Sequence, residues 1–152
     1  MPTTGPFSLA DLPALRSLLA DYLLEFDPSA DPRAYWDEEY TKALLAGRQD
    51  GSLTIWLARN GVDPVGFAIA RIERQWYRRA RLAGIFEECY VAPAYRRQGL
   101  GRTLVDLALD WFDAQGVAEV RAPVVGRNLA GLLFWQRLGF TIEVYQLYRL
   151  SP

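Results

Sequence analysis

An α/β fold built on one mixed sheet is the class that this sequence predicts, on three observations. The second half alternates strand-like and helix-like stretches in the order strand, helix, strand, helix, strand. The first half instead carries two helical periodicities followed by a two-stranded reversal. No repeat or linker divides them, so a single domain over residues 1–152 is expected, its central mixed sheet flanked by about four helices.

Two prolines and a glycine within residues 1–7 limit any first strand to a few residues. Ser8 or Asp11 can cap the helix that follows, and Asp11 would set Pro13 in its first turn. Leu12, Leu15, Leu18, Leu19, Tyr22, Leu23 and Phe26 then recur at helical spacing and form one apolar face. Asp27-Pro28-Ser29-Ala30-Asp31-Pro32 breaks that helix, and a second is expected over roughly Arg33 to Ala46, stopping near Gly47. From Ser52 the period shortens to two. Leu53, Ile55 and Leu57 alternate, Asn60-Gly61 and Asp63-Pro64 mark a reversal, and a second strand runs from Val65 to Glu73.

Residues 74–82 read as an Arg-rich connection to a strand over Gly84–Val91. Leu100, Leu104, Leu107, Ala108, Trp111 and Phe112 form the face of a long helix that ends at Gly116. A short strand from Val117 to Val124 follows. Pro123 lacks an N–H, so its pairing with Gly84–Val91 should fail there and open a cleft. Asn128 suits the N-cap of a last helix ending at Gly139, and Phe140 to Leu150 is expected to be a long final strand.

Composition narrows the function. With 51% hydrophobic and 23% charged residues the chain is globular, and its formal charge of −1 argues against a general nucleic-acid partner. No apolar run reaches the roughly 18 residues that a bilayer requires, and no signal-peptide layout opens the chain. A cytoplasmic location without membrane attachment is the expectation. The chain has no histidine, which removes Ser-His-Asp and Cys-His catalysis as usually built and the commonest transition-metal ligand; no metal is expected. Cys89, its only cysteine, excludes an internal disulfide and reads as a small buried hydrophobe.

The chain is organised around Glu87-Glu88-Cys89-Tyr90-Val91-Ala92-Pro93-Ala94-Tyr95-Arg96-Arg97-Gln98-Gly99-Leu100-Gly101, a strand that passes through a basic glycine loop into a helix. A loop at a helix N-terminus gathers backbone N–H groups at the positive end of the helix dipole, which favours phosphate. Arg96 and Arg97 add forked donors. A P-loop is excluded because no Gly-Lys-Ser/Thr follows at the required spacing, and a dinucleotide loop because Leu104 stands where its third glycine belongs. Arg96-x-x-Gly99-x-Gly101 is what remains.

In its context this pattern resembles the GNAT N-acetyltransferase family, whose Arg/Gln-x-x-Gly-x-Gly/Ala loop follows the fourth strand. The strand before the loop matches as Phe86-Glu87-Glu88-Cys89-Tyr90-Val91-Ala92-Pro93. A later block, Asn-x-x-Ala-x-x-Phe-Tyr-x-x-x-Gly-Phe in the family, matches from Asn128 to Phe140. The resemblance implies a GNAT-like fold and attack of an amine on the thioester of acetyl-CoA. It implies that Cys89, Tyr90 and Val91 line the thioester, and that Arg96, Arg97, Gln98, Gly99, Leu100, Gly101 and Arg102 hold the coenzyme's pyrophosphate. Asn128 and Trp135 belong to the same coenzyme site by position.

For a base the resemblance points to Glu87, with Glu88 as the alternative. Strand alternation puts Glu87, Cys89 and Val91 on one face and Glu88 and Tyr90 on the other, so the carboxylates should not pair; a bulge between them would reverse this. The family's leaving-group tyrosine falls on Trp135, whose indole N–H cannot act as an acid near neutral pH. Tyr145 or Tyr148 on the last strand could serve instead. Seven acids between Asp21 and Glu39, with only Arg33 beside them, suit a cationic amine acceptor, or simply a solvated helix face. Five arginines in 71–81, interleaved with Trp76 and Tyr77, suit an acidic group or a dimer partner. A small-molecule amine is the expected acceptor, in a monomer or homodimer. The competing readings are a protein N-terminal or lysine acetyltransferase, and a non-catalytic acyl-CoA-binding module.

Overall fold

A computed structural model describes residues 1–75 and 81–152. In order these form β1 (Thr3–Pro6), α1 (Leu12–Phe26), α2 (Pro32–Tyr35), α3 (Glu38–Asp50), β2 (Leu53–Asn60), β3 (Asp63–Arg74), β4 (Leu82–Val91), α4 (Leu100–Ala114), β5 (Glu119–Arg121) and α5 (Leu129–Arg137). The sheet runs β1-β2-β3-β4-β5; its first three pairings are antiparallel and the last is parallel. The mixed sheet expected from the sequence is present.

Two cores sandwich this sheet because its strands alternate. Leu53, Ile55 and Leu57 of β2 and Phe67 and Ile69 of β3 face α1 and α3, where Leu15, Leu18, Leu19 and Leu44 are buried. Ala58, Ala68 and Ala70 face the other way, toward Leu100, Leu104, Val105, Ala108 and Phe112 of α4. Small residues on that face let α4 lie close. At Gly84 of β4 a Cβ would sit 2.6 Å from the Phe112 ring, so only glycine fits there.

The single helix expected over Arg33–Ala46 is instead two. Asp37 accepts a hydrogen bond from the Tyr40 amide at 2.8 Å and so starts α3 afresh. That helix also runs through Gly47, where a Cβ would meet Leu53 Cβ at 2.8 Å, and stops at Gly51 in the left-handed conformation. Gly47 is a packing glycine, which spacing alone does not separate from a stop signal.

Only Glu119–Arg121 of the Val117–Val124 stretch pairs, opposite Ala83–Ile85. Beyond that point β4 continues to Val91 without β5 beside it, as the proline at 123 leads one to expect. The long strand expected over Phe140–Leu150 is not formed. Phe140 packs against Trp135, with ring centres 5.0 Å apart, but every residue from 141 to 152 is exposed and in neither helix nor strand. Its alternating apolar pattern is genuine; within one copy it has no sheet edge beside it.

Candidate active site

A bulge in β4 sets the site. Ile69 of β3 faces Glu88, whereas the next residue, Ala70, faces Phe86, which leaves Glu87 as the extra residue. The alternation is thereby reset in mid-strand. Phe86 packs on Phe112 of α4, at 5.6 Å between ring centres, and Cys89 and Val91 lie on that same side. Glu87, Glu88 and Tyr90 all turn toward α1 and α3. The expectation that the two carboxylates lie on opposite faces is therefore corrected.

They sit in different surroundings. Glu87 is ion-paired to the Arg71 guanidinium, which also donates to Glu73 at 3.0 Å. Glu88 is more deeply buried and lies near the Tyr22 hydroxyl of α1. Burial pushes the Glu88 carboxyl up from 4.5 to about 7, opposed by the Tyr22 hydroxyl and reinforced by the negative charge of Glu87. The Tyr40 hydroxyl of α3 is buried without a hydrogen-bond partner among the described residues, and both carboxylates raise its pKa after burial does. A recess of about 320 Å³ opens here, lined by Tyr40, Ala43, Leu44, Leu53, Arg71 and Glu87. Glu88 is thus poised to exchange a proton near neutral pH beside a carboxylate that is ion-paired to Arg71.

The loop at the other end of β4 has the form of an anion cradle. After a single 3₁₀ turn at Pro93–Tyr95, Arg97 (φ 62°) and Gly99 (φ 83°) take left-handed conformations, and α4 starts at Leu100. A left-handed residue next to one of negative φ turns consecutive N–H groups to one side, and the first-turn amides of Leu100, Gly101 and Arg102 have no acceptor within the helix. No side-chain atom lies within 4 Å of where a Cβ at Gly99 would stand. At Gly101 a Cβ would come 3.2 Å from the Phe134 ring, so that glycine serves the packing of α4 against α5.

Arg96 points elsewhere. Its guanidinium grips both oxygens of Glu25 on α1, at 2.9 and 2.6 Å, and donates to the Val91 carbonyl at 2.7 Å. It also lies over the Tyr90 ring. These contacts fasten the loop to α1. Arg96→Ala is accordingly expected to lower stability by roughly 1–2 kcal/mol, since the ion pair is about a third exposed and screened. Affinity for a pyrophosphate-bearing ligand should change less than tenfold. Unchanged thermal stability with lost ligand binding would instead put the guanidinium on phosphate.

The remaining expected residues fall as follows. Cys89 is half-buried, and burial together with Glu88 pushes its thiol up to about 12, which makes it an inert side chain at neutral pH. Asn128 caps α5 by accepting from the Gly131 amide at 2.9 Å; a Cβ at 131 would strike its amide nitrogen. Trp135 is a core residue, 4.8 Å from the Phe86 ring centre. Tyr145 and Tyr148 are exposed on the terminal arm and are not brought to the carboxylates within one copy. Tyr22 and Tyr40 were not anticipated. Each reads as one more apolar position on its helix, and the only signal is a hydroxyl where leucine or phenylalanine would pack equally well.

Most of the acidic segment has structural work. Asp31 and Asp37 cap helices, Asp27 holds Ser29, Glu25 holds Arg96, and Glu38 and Glu39 pair with Lys42. Of the arginine-rich stretch, Arg71 holds Glu87; Trp76, Tyr77, Arg78 and Arg79 lie outside the described residues. No group of three or more metal-ligating side chains occurs among the described residues. No helix among them is long and apolar enough to cross a membrane.

Comparison with known proteins bears on the family and the fold. The model of the acetyltransferase (GNAT) family matches residues 12–140. The [ribosomal protein bS18]-alanine N-acetyltransferase of Escherichia coli K12 is 31% identical, over 92% of this chain and 81% of that protein. The mycothiol acetyltransferase of Catenulispora acidiphila is 30% identical over 76% of this chain, which spans only 42% of that relative's length. A solved structure of AAC(6')-Iy in complex with the bisubstrate analogue CoA-S-monomethyl-acetylneamine superposes with a TM-score of 0.76 at 20% identity, over 100% of this chain and 99% of that one. At that identity the likeness shows the fold alone.

Proposed function

The chain belongs to the GNAT acetyltransferase family, and from that premise we propose that it transfers an acetyl group from acetyl-CoA to a small-molecule primary amine by direct attack in a ternary complex. The bulge carries this reading. It sets a carboxyl that titrates near neutral pH beside one paired to Arg71, on the same strand that leads into the glycine loop.

Each part has a task. The amides of Arg97 to Arg102 suit the two negative phosphates of the coenzyme, because left-handed residues and a helix N-terminus aim them together. Acetyl-CoA supplies the activated acyl group. Glu88 takes the proton of the incoming ammonium, directly or through one water, because its carboxylate form is populated above about pH 7 and the proton then has a basic acceptor. Burial raises the pKa of Glu88, and the negative charge of Glu87, paired with Arg71, reinforces it. The edge of β4 beyond Phe86, free of β5, offers backbone donors for developing oxyanion charge. The Tyr40 hydroxyl, otherwise unpartnered, suits a hydrogen bond to the amine or to its water.

A second reading rests on one observation. The [ribosomal protein bS18]-alanine N-acetyltransferase, 31% identical and matched over most of its length, acts on an alanine of a ribosomal protein. The test is CoA release from acetyl-CoA across small amines, polyamines, amino sugars and peptides with a free N-terminal alanine. Turnover with small amines but not peptides is expected; the reverse pattern selects the second reading. Acetyl-CoA should raise the melting temperature where NAD and ATP do not, and stabilisation by none of the three would remove the cofactor assignment.

A further inference from the structure

The recess beside the carboxylates has a lining that selects for one kind of ligand. Tyr40, Ala43 and Leu44 stand at i, i+3 and i+4 on α3 and so share one face of that helix. Leu53 of β2 and Arg71 of β3 are opposite each other in the sheet, and Glu87 is the bulged residue of β4. Gly47, one turn beyond Ala43 and Leu44, lets α3 lie close on Leu53, because a Cβ there would stand 2.8 Å from the Leu53 Cβ. At about 320 Å³ the recess is at the low end of the roughly 300–1,000 Å³ of small-molecule sites.

Its charges do not balance. The Arg71 guanidinium is shared between Glu87, which lines the recess, and Glu73 at 3.0 Å, so two carboxylates meet one cation. The excess is negative and attracts an ammonium. A carboxylate or phosphate on the same ligand would find only Arg71 as a cation in the described lining, and that group is already paired twice.

Polar partners are as few. Beyond Arg71 and Glu87, the lining offers one polar side-chain group, the Tyr40 hydroxyl, whose oxygen is buried without a hydrogen-bond partner among the described residues. Burial, with the charges of Glu88 and Glu87, raises its pKa, so it is neutral and can accept from an ammonium. Glu87 and Tyr40 thus serve the amine, and hydrocarbon remains for the rest of the ligand. A ligand hydroxyl set against Leu44 or Leu53 would lose its water and gain no partner.

We propose that the acceptor is a monocationic primary amine whose body is apolar, an alkyl chain or a single aromatic ring, packed on Ala43, Leu44 and Leu53. This assignment rests on the acetyl transfer to a small amine proposed from the family, and it narrows the acceptor. The same lining disfavours amino sugars, polyamines and amino acids, whose hydroxyls, second ammonium or carboxylate have no partner in it.

Initial rates of CoA release at one fixed pH test this with amines that are matched at the reacting end. From ethylamine to hexylamine, kcat/KM should rise about threefold per added methylene until the recess is filled. Butylamine should exceed butanolamine, putrescine and γ-aminobutyrate, which differ from it only at the far end, by about tenfold or more. Ala43→Phe gives a second measurement. Ala43 is exposed on α3, so the variant leaves the core intact while its ring occupies the recess. The preference for hexylamine over ethylamine should then fall about tenfold. Rates independent of chain length, or butylamine no better than its polar counterparts, would overturn the inference and leave transfer to small amines standing. An Ala43→Phe enzyme with an unchanged hexylamine preference would do the same. CoA release with peptides alone, or with no amine, would overturn the small-amine reading and this inference with it.

Discussion

Replacing Glu88 with glutamine is expected to lower kcat/KM by about 10²–10⁴-fold above pH 8, the range that a positioned general base contributes. The wild-type rate should rise with pH through a midpoint near 7, where the buried carboxyl loses its proton. In Glu88→Gln that limb should vanish, leaving the slower dependence of the free amine. Glu87→Gln is the contrasting variant. Removing its charge takes away one cause of the raised Glu88 pKa, so the limb should survive with a lower midpoint. A Glu88→Gln enzyme that keeps the wild-type rate and profile would take Glu88 out of the mechanism.

The same carboxyl should appear in stability. Folded Glu88 keeps its proton up to about pH 7 and the unfolded residue only to 4.5, so between these values the folded state binds the extra proton. Its contribution is therefore fully present below pH 4.5, declines as pH rises to about 7, and is flat beyond. The loss is on the order of 3 kcal/mol at 1.36 kcal/mol per unit. Asp11, Asp27 and Asp50 have pKa values lowered below 3.8, so theirs is the opposite slope, in a more acidic window. Subtracting the Glu88→Gln denaturation profile from the wild type isolates the Glu88 window. A difference that does not change with pH would mean that its carboxyl is not buried as described.

Periodicity made the two-sided sheet, the hairpin and the long helix of α4 legible, because each buries a face wide enough to leave a pattern in the residues. Pro123 showed where the strands part, because a missing N–H is a local fact. Other features depend on contacts that no local pattern carries. Gly47 looks like a helix stop until Leu53 is packed against it. The bulge adds nothing to composition or spacing, yet it reverses which face Glu87 presents, so the sequence named both carboxylates without giving their relation. Arg96 reads as a phosphate ligand by position, and its engagement with Glu25 joins residues 71 apart in the chain. The terminal arm has the alternation of a strand but no sheet edge beside it within one copy.

Phe112→Ala is expected to cost about 3–5 kcal/mol, since the ring is fully buried and leaves a cavity. For a chain of this size that corresponds to a fall in Tm of roughly 10 °C or more. The consequence extends beyond stability. Phe112 rests on the bare backbone of Gly84 and edge-on against Phe86, and so fixes the height of α4 above β4. The N-terminus of that helix carries the amides proposed to bind pyrophosphate. Phe112→Ala should therefore weaken acetyl-CoA binding more than Leu15→Ala, a comparable loss from the core on the opposite face of the sheet. Gly84 provides the cross-check. Gly84→Ala alone should cost about 1–3 kcal/mol by overpacking against the ring. In the Phe112→Ala background its methyl group enters the cavity, so the double variant should be more stable than the sum of the single effects predicts. Additive losses, or equal loss of acetyl-CoA binding from both faces, would mean that the Gly84–Phe112 contact does not set the position of the loop.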